Sequence, residues 1–303
     1  MKESNLTETM NRNVEVLSNT SLPEYTFIPQ HHTLLPSVPQ LKRIVDLLRI
    51  VVFPGYFGNA IIFPHSLRCH IGVTLEEIYW LLLEQIKNGL CFYEHETDDT
   101  ALLDVAEKKA LAFIDQLPEI KRLLATDVKE TFDSDSAVNS YAEVIFSCPT
   151  IRAVFSYRIA HALLILGVPV LPRIISELAH SETGIDIHPG AQIGEYFSIN
   201  HGTGVVIGQT TIIGNHVRLY QGVTLGAKRF SLEASNHLVT VPRHPIIEDN
   251  VVIYANANVL GRITIGAHSV IGGNVWLTYN VPPHSSIQQQ RAVSEDFYDG
   301  LGI

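Results

Sequence analysis

Apolar residues follow two different periods along this chain. From Val38 to about His180 they recur every three or four positions. Leu41, Ile44, Leu47 and Leu48 share one face, with Lys42, Arg43, Asp46 and Arg49 between them, which is the pattern of an amphipathic helix. Thr74-Leu75-Glu76-Glu77 predicts another helix start, a threonine cap followed by acids in the first turn, and its apolar face continues through Ile78, Leu81, Leu82 and Ile86. Further helices are predicted over 99–124, interrupted near Pro118, and over 136–146, 150–166 and 171–180. Beyond about residue 185 the period becomes six. Ile187, Ile193, Ile199, Val205, Thr211, Val217 and Val223 share one register, and a second row runs Ile207, Ile213, Leu219 and Leu225. After an interruption the first register returns with Ile247, Ile253, Val259, Ile265, Ile271 and Leu277.

A six-residue period fits neither an α-helix nor an alternating hairpin. It fits a parallel β-helix, in which each six-residue side turns a corner and sends an aliphatic side chain inward. Glycines directly after aliphatics, as in Ile193-Gly194, Ile207-Gly208 and Leu225-Gly226, relieve crowding where the backbone turns. With three sides per coil, Ile187 to Leu277 spans about five coils. The expected organisation is a loose N-terminal arm over 1–35, an α-helical domain over 36–182, the β-helix over 183–285 and a tail over 286–303. Polar residues over 228–242 break the register and read as a loop thrown out from the scaffold, and a loop of that length on a regular scaffold is more often functional than not.

Composition narrows the function. A net charge of −10 argues against a general affinity for nucleic acid or an anionic membrane, both of which call for a basic surface. A local basic pocket for a phosphorylated cosubstrate remains compatible with it. Apolar runs such as Leu163-Leu164-Ile165-Leu166 are far shorter than a membrane span. The first residues lack the apolar core of a signal peptide. Cys69, Cys91 and Cys148 share no close spacing and read as free thiols in a reducing compartment, so the cytoplasm is the expected location.

Because aliphatic side chains fill a β-helix, any reactive site must lie on its outer surface or at a subunit contact. Asp186 precedes His201 by fifteen residues, close to one coil, which can bring the carboxylate and the imidazole together on adjacent turns. A carboxylate holding one ring nitrogen sets the tautomer and leaves the other as a base; the alternative is a surface histidine beside a solvated acid. The order Asp186-Ile187-His188-Pro189, Asn200-His201-Gly202-Thr203-Gly204, Gly222-Val223-Thr224-Leu225-Gly226 and Arg243-His244-Pro245 resembles the serine O-acetyltransferases of cysteine biosynthesis. Asp135-Ser136-Ala137-Val138, Tyr157-Arg158-Ile159-Ala160-His161 and the terminal Asp299-Gly300-Leu301-Gly302-Ile303 extend the likeness.

That resemblance implies an α+β protein, an N-terminal all-α domain followed by a left-handed parallel β-helix of hexapeptide repeats. It implies acetyl transfer from acetyl-CoA to serine without a metal, His201 being the general base and Asp186 its orienting partner. Asp135 would bind the substrate ammonium, and Arg243 and His244 its carboxylate, for which a planar guanidinium is well shaped. Gly226, Ala227, Ala255 and Gly273 would border the pantetheine arm in a groove between neighbouring β-helices. The implied assembly is a homotrimer or a dimer of trimers, with Ile303 offered to O-acetylserine sulfhydrylase. Two positions depart from the family. Asn200 stands where it has aspartate, and Gln209 replaces the glutamate of Gly-Glu-Thr. Each removes a negative charge, one of them where the ammonium is expected, and weakens attraction for a cation.

Three other readings stay open on sequence. A hexapeptide acetyltransferase could act on homoserine, a sugar or an antibiotic, although a neutral sugar would not need Asp135 or the Arg243-His244 pair. A metal hydrase of the γ-carbonic anhydrase type uses the same repeat with three histidines, for which His201, His216, His244 and His268 are available. A non-enzymatic trimeric scaffold is the third.

Overall fold

A repeat of six leaves room for strands of only two or three residues, and the computed structural model builds its second half from such strands. It describes residues 2–19, 34–58, 61–91, 99–228 and 241–290. Contacts divide the chain between Leu34 and Leu35. Helix α1 (Lys2–Leu17) lies in the first unit, within the stretch expected as a loose arm, and every other described element lies in the second.

The helical half comprises α2 (Val38–Val52), α3 (Leu67–Cys91), α4 (Asp99–Ser134), α5 (Tyr141–Ser147), α6 (Pro149–Ile165) and α7 (Leu171–Thr183). The predicted apolar face of α2 is the buried one, with Leu41, Ile44 and Leu48 in the core. Two local signals were overridden by packing. Thr74 does not cap a helix; it sits inside α3, buried, with its hydroxyl donating 2.8 Å to the carbonyl of His70 one turn earlier, the back-bond that lets a threonine stay in a helix. Pro118 does not interrupt α4. It removes one backbone donor, but Phe113, Leu117, Ile120 and Leu124 around it are buried and hold the helix continuous.

The strands form three parallel sheets, the three faces of a prism. The first contains β1 (Asp186–Ile187), β4 (Val206–Ile207), β7 (Thr224–Gly226), β10 (Asn258–Leu260) and β13 (Trp276–Leu277). The second contains β2 (Gln192–Ile193), β5 (Ile212–Ile213), β8 (Ile246–Ile247) and β11 (Thr264–Ile265). The third contains β3 (Ser198–Asn200), β6 (Arg218–Tyr220), β9 (Val252–Ile253), β12 (Val270–Ile271) and β14 (Ser286–Ile287). Pairing of β14 with β12 carries the ladder past residue 285. The segment 229–240 within the expected loop, and the tail from 291 to Ile303, lie outside the described residues.

The register differs from the simple count in an informative way. Ile187 pairs with Ile207, and the same row continues through Leu225, Val259 and Leu277. Val205, Thr211, Val217 and Val223 also point inward and are fully buried, but they occupy a second inward position on each side. The rows exchange because Asp186 and its partner Val206 are twenty residues apart, against eighteen for Asn258 and Trp276. Elsewhere the amide of the fifth residue of a side bonds to the carbonyl of the second, as Ala191 does to His188 and Thr211 to Gly208. Val205 bonds instead to Gly202, while Asn200 still pairs with Tyr220, which places the two extra residues in the turn at His201-Gly202.

α6 closes the end of the prism. β1, β2 and β3 are terminal strands, with carbonyls that no further coil can satisfy. The Tyr157 hydroxyl donates 2.7 Å to the carbonyl of Ala191, Arg158 Nη2 donates 2.8 Å to that of Gly194, and His161 Nδ1 lies 2.8 Å from that of Pro189. Arg158 is also paired on two sides with Asp127 of α4, at 2.6 and 2.8 Å, both residues being buried. Asp127 Oδ1 in turn accepts from the amide of Phe197 at 3.1 Å. The Tyr157–His161 motif is therefore the latch between helices and prism.

Candidate active site

The chain enters the first sheet at one corner of the prism and leaves it at another, and the expected site residues divide between these two edges. The two-residue insertion stands at the entry corner. The carbonyl of Asn200 accepts from the amide of Gly202 at 2.7 Å, so His201 is the middle of a three-residue turn with φ of 60°. Gly202 has φ of 88°, and a Cβ there would come within 2.5 Å of Ile185 Cδ1 and 3.0 Å of Thr150 Cγ2. Only glycine fits, and the turn is held out so that the His201 ring is exposed. The amide of Gly204 bonds to the carbonyl of Gly184 at 2.8 Å and that of Asp186 to Val205 at 2.9 Å. The turn thus runs alongside the segment that carries Asp186, one coil away. Asn200 is half-buried at the end of β3.

Asp135 follows α4. Its Oδ1 accepts from the amide of Ala137 at 2.9 Å, fixing a turn ahead of α5. The Cys148 thiol at the start of α6 is pushed up by burial and further by Asp135 and Glu143. Two residues on, Thr150 touches the Gly202 position, so the loop bearing Asp135 is on the side of the entry corner. Ala255 and Gly273 stack along this same edge in later coils; a Cβ on Gly273 would lie 3.2 Å from the Ala255 carbonyl oxygen.

The exit corner is organised around His244, which is buried. Its Nδ1 accepts from the amide of Thr210 at 3.1 Å and lies 2.8 Å from the Thr210 hydroxyl. A backbone N–H can only donate, so Nδ1 is the acceptor nitrogen and the neutral ring carries its proton on Nε2. Burial, then the charges of Arg243 and Arg262, push the imidazole down to about 4. The Thr210 hydroxyl oxygen accepts from the amides of Arg243 and His244 at 2.9 and 3.1 Å, and Arg262 Nη1 bonds to the carbonyls of Thr210 and His244 at 2.7 and 3.0 Å. Gly208 makes room for the ring: a Cβ there would lie 1.9 Å from His244 Cδ2. Gln209, half-buried, packs its Cγ against the Gly190 position. Gly226 and Ala227, half-buried, leave the first sheet on this edge.

His201 and His244 of one chain therefore stand at different corners, at opposite ends of the first sheet's strands. Sequence reasoning singled out Gln209 and missed its neighbours Gly208 and Thr210, together with Arg262, which hold His244 in place. The adjacent motif Gly208-Gln209-Thr210 was the available signal. His216 and His268 belong to the remaining corner, stacked on Tyr196 and His284, and among the described residues no three His, Cys, Asp or Glu side chains group as metal ligands.

Known proteins give this geometry its context. Residues 244–278 match the family model described as bacterial transferase hexapeptide (six repeats). A solved serine acetyltransferase isoform 3 of Entamoeba histolytica, in complex with cysteine, superposes with a TM-score of 0.72 at 31% identity, covering 99% of this chain and 97% of that one. A soybean serine acetyltransferase complexed with serine gives 0.54 at 26% identity, covering 84% and 98%. The serine acetyltransferase of Bacillus subtilis is 44% identical over 55% of this chain and 73% of its own length. A plasmid-encoded serine acetyltransferase of Synechococcus elongatus is 47% identical over 96% of this chain and 93% of its own. The chain belongs to the serine acetyltransferase family.

Proposed function

We propose that this acyltransferase moves the acetyl group of acetyl-CoA to the hydroxyl of L-serine, giving O-acetylserine for cysteine biosynthesis, with His201 as the base. In this reading His201 takes the serine hydroxyl proton as the oxygen attacks the thioester carbonyl. The tetrahedral oxyanion then collapses, the carbon–sulfur bond breaks, and the departing thiolate receives the proton from His201. Asp186 orients the imidazole. Asp135 holds the substrate ammonium, with the amides of Asn200 and Gln209 as weaker neighbours than carboxylates would be. Arg243 and His244 take the carboxylate.

The observation that carries the reading is the placement of the proposed site residues at two corners of the first sheet. His201, Ala255 and Gly273 line the entry corner, while His244, Gly226 and Ala227 line the exit corner. Two β-helices packed side by side would join an entry corner to an exit corner and enclose the pantetheine arm between small side chains. This supports a homotrimer, alone or doubled, with each site shared by two subunits. No helix among the described residues is long and apolar enough to cross a membrane. The tail that contains Ile303 would engage O-acetylserine sulfhydrylase.

The test is acetyl transfer from acetyl-CoA measured across serine, homoserine, threonine and a sugar, for the natural protein and for His201→Ala. Serine is expected to be preferred and the variant to lose about two orders of magnitude or more in kcat. Full activity of His201→Ala on serine would exclude it as the base, and a sugar turned over as fast as serine would exclude the acceptor.

A further inference from the structure

The Asp186-Ile187-His188-Pro189 motif contains a second polar residue, His188, to which the catalytic scheme assigns no task. His188 directly follows β1, so it occupies the exit corner one coil from Gly208: its amide bonds to the carbonyl of Ile207 at 3.0 Å. Gly208 contributes no side chain to this edge, and the ring of His244 fills the vacated space. The two imidazoles are thereby successive members of one column, with Gln209 beside both.

His188 is also pinned in the same manner as His244. Its Nδ1 accepts from the amide of Gly190 at 2.9 Å, so the neutral ring carries its proton on Nε2. Among the described residues that Nε2 has no hydrogen-bond partner. Burial, then Arg173, His244 and Arg243, disfavour a positive charge on His188 and push it down to about 4; Arg243 directly precedes His244 on this edge. Two neutral N–H donors and a guanidinium on one edge form an anion-binding set.

We propose that His188 is a third donor to the carboxylate of the amino-acid substrate, using Nε2–H beside Arg243 and His244. The proposal rests on the exit corner being the carboxylate site. Asparagine is the informative replacement. Its side-chain oxygen can still accept from the Gly190 amide, as Nδ1 does, while the donor at the Nε2 position is lost.

The experiment compares steady-state kinetics of the full-length chain with L-serine and with L-serine amide, which lacks the carboxylate. For His188→Asn we expect KM for L-serine to rise about tenfold or more, with KM for acetyl-CoA unchanged and no comparable penalty on the amide. His188→Gln, which returns an N–H near the Nε2 position, is expected to restore KM for L-serine to within about threefold and covers the case in which the asparagine variant does not fold. If Arg243→Gln raises KM for L-serine while folded His188→Asn does not, His188 is not a carboxylate donor. If neither variant changes it, the carboxylate assignment of the whole corner falls, and this proposal with it.

Discussion

Gly208→Ala is the sharpest perturbation of this architecture, because one methyl group tests the placement of His244. The added Cβ would lie 1.9 Å from His244 Cδ2 and 2.2 Å from Nε2, about half of a normal carbon–carbon contact. The Gly208 backbone cannot retreat, since its amide is tied to the carbonyl of Leu225 at 3.0 Å and its carbonyl to the amide of Thr211 at 3.1 Å. The imidazole must therefore swing out and lose its bonds to Thr210. Overpacking of this kind costs about 1–3 kcal/mol of stability. Loss of a donor to a charged carboxylate costs about 1.5–3 kcal/mol, roughly 10- to 100-fold in kcat/KM for serine. The assay is steady-state kinetics with serine and acetyl-CoA varied in turn, beside a thermal unfolding scan. The expected pattern is a higher KM for serine, an unaltered KM for acetyl-CoA and a midpoint lowered by a few degrees. A folded Gly208→Ala protein whose KM for serine stays within twofold would refute the proposed role of the His244 ring.

Two further outcomes follow from the latch and from the imidazoles. Asp127→Asn would leave the Arg158 guanidinium, buried with its partner, without a counter-charge; we expect a loss of about 3–5 kcal/mol in urea denaturation, and a loss below about 1 kcal/mol would show that the helices are held to the prism by other contacts. His188 and His244, both pushed down to about 4 chiefly by burial, bind protons more readily unfolded than folded. Stability should therefore fall as pH drops from about 6.5 toward 4 and flatten below that. Substituting either histidine with asparagine should make a thermal midpoint-against-pH curve shallower over that window, and an unchanged slope would contradict the burial of the neutral rings.

Much of this molecule was legible in the order of residues. A hexapeptide side is a local object: each inward aliphatic, each small corner residue and each return to register is set within six positions, so the period reveals the prism before any contact is known. The same holds for the buried face of α2. Local signals misled where distant packing outweighed them, as when Thr74 was absorbed into α3 and Pro118 into α4. The exchange of inward rows at the His201 turn reads as an unbroken register in sequence, because both rows are apolar and a count of six cannot tell one from the other. Only stacking against the next coil shows that two residues are inserted and that His201 stands on the turn they make.

The motif Gly208-Gln209-Thr210 flagged the exit corner, but its contacts with His244 could not be read from sequence. Gly208 and His244 are separated by the long excursion between β7 and β8, and Asp127 meets Arg158 across two helices. Their proximity is a consequence of how coils stack and helices dock, for which no spacing rule exists. Sequence alone thus determined the repeat and the family likeness, and it nominated the candidate reacting groups. Tertiary structure decided which ring nitrogen of His244 carries the proton, why glycine stands at 208, and that His201 and His244 occupy two different corners of a single chain.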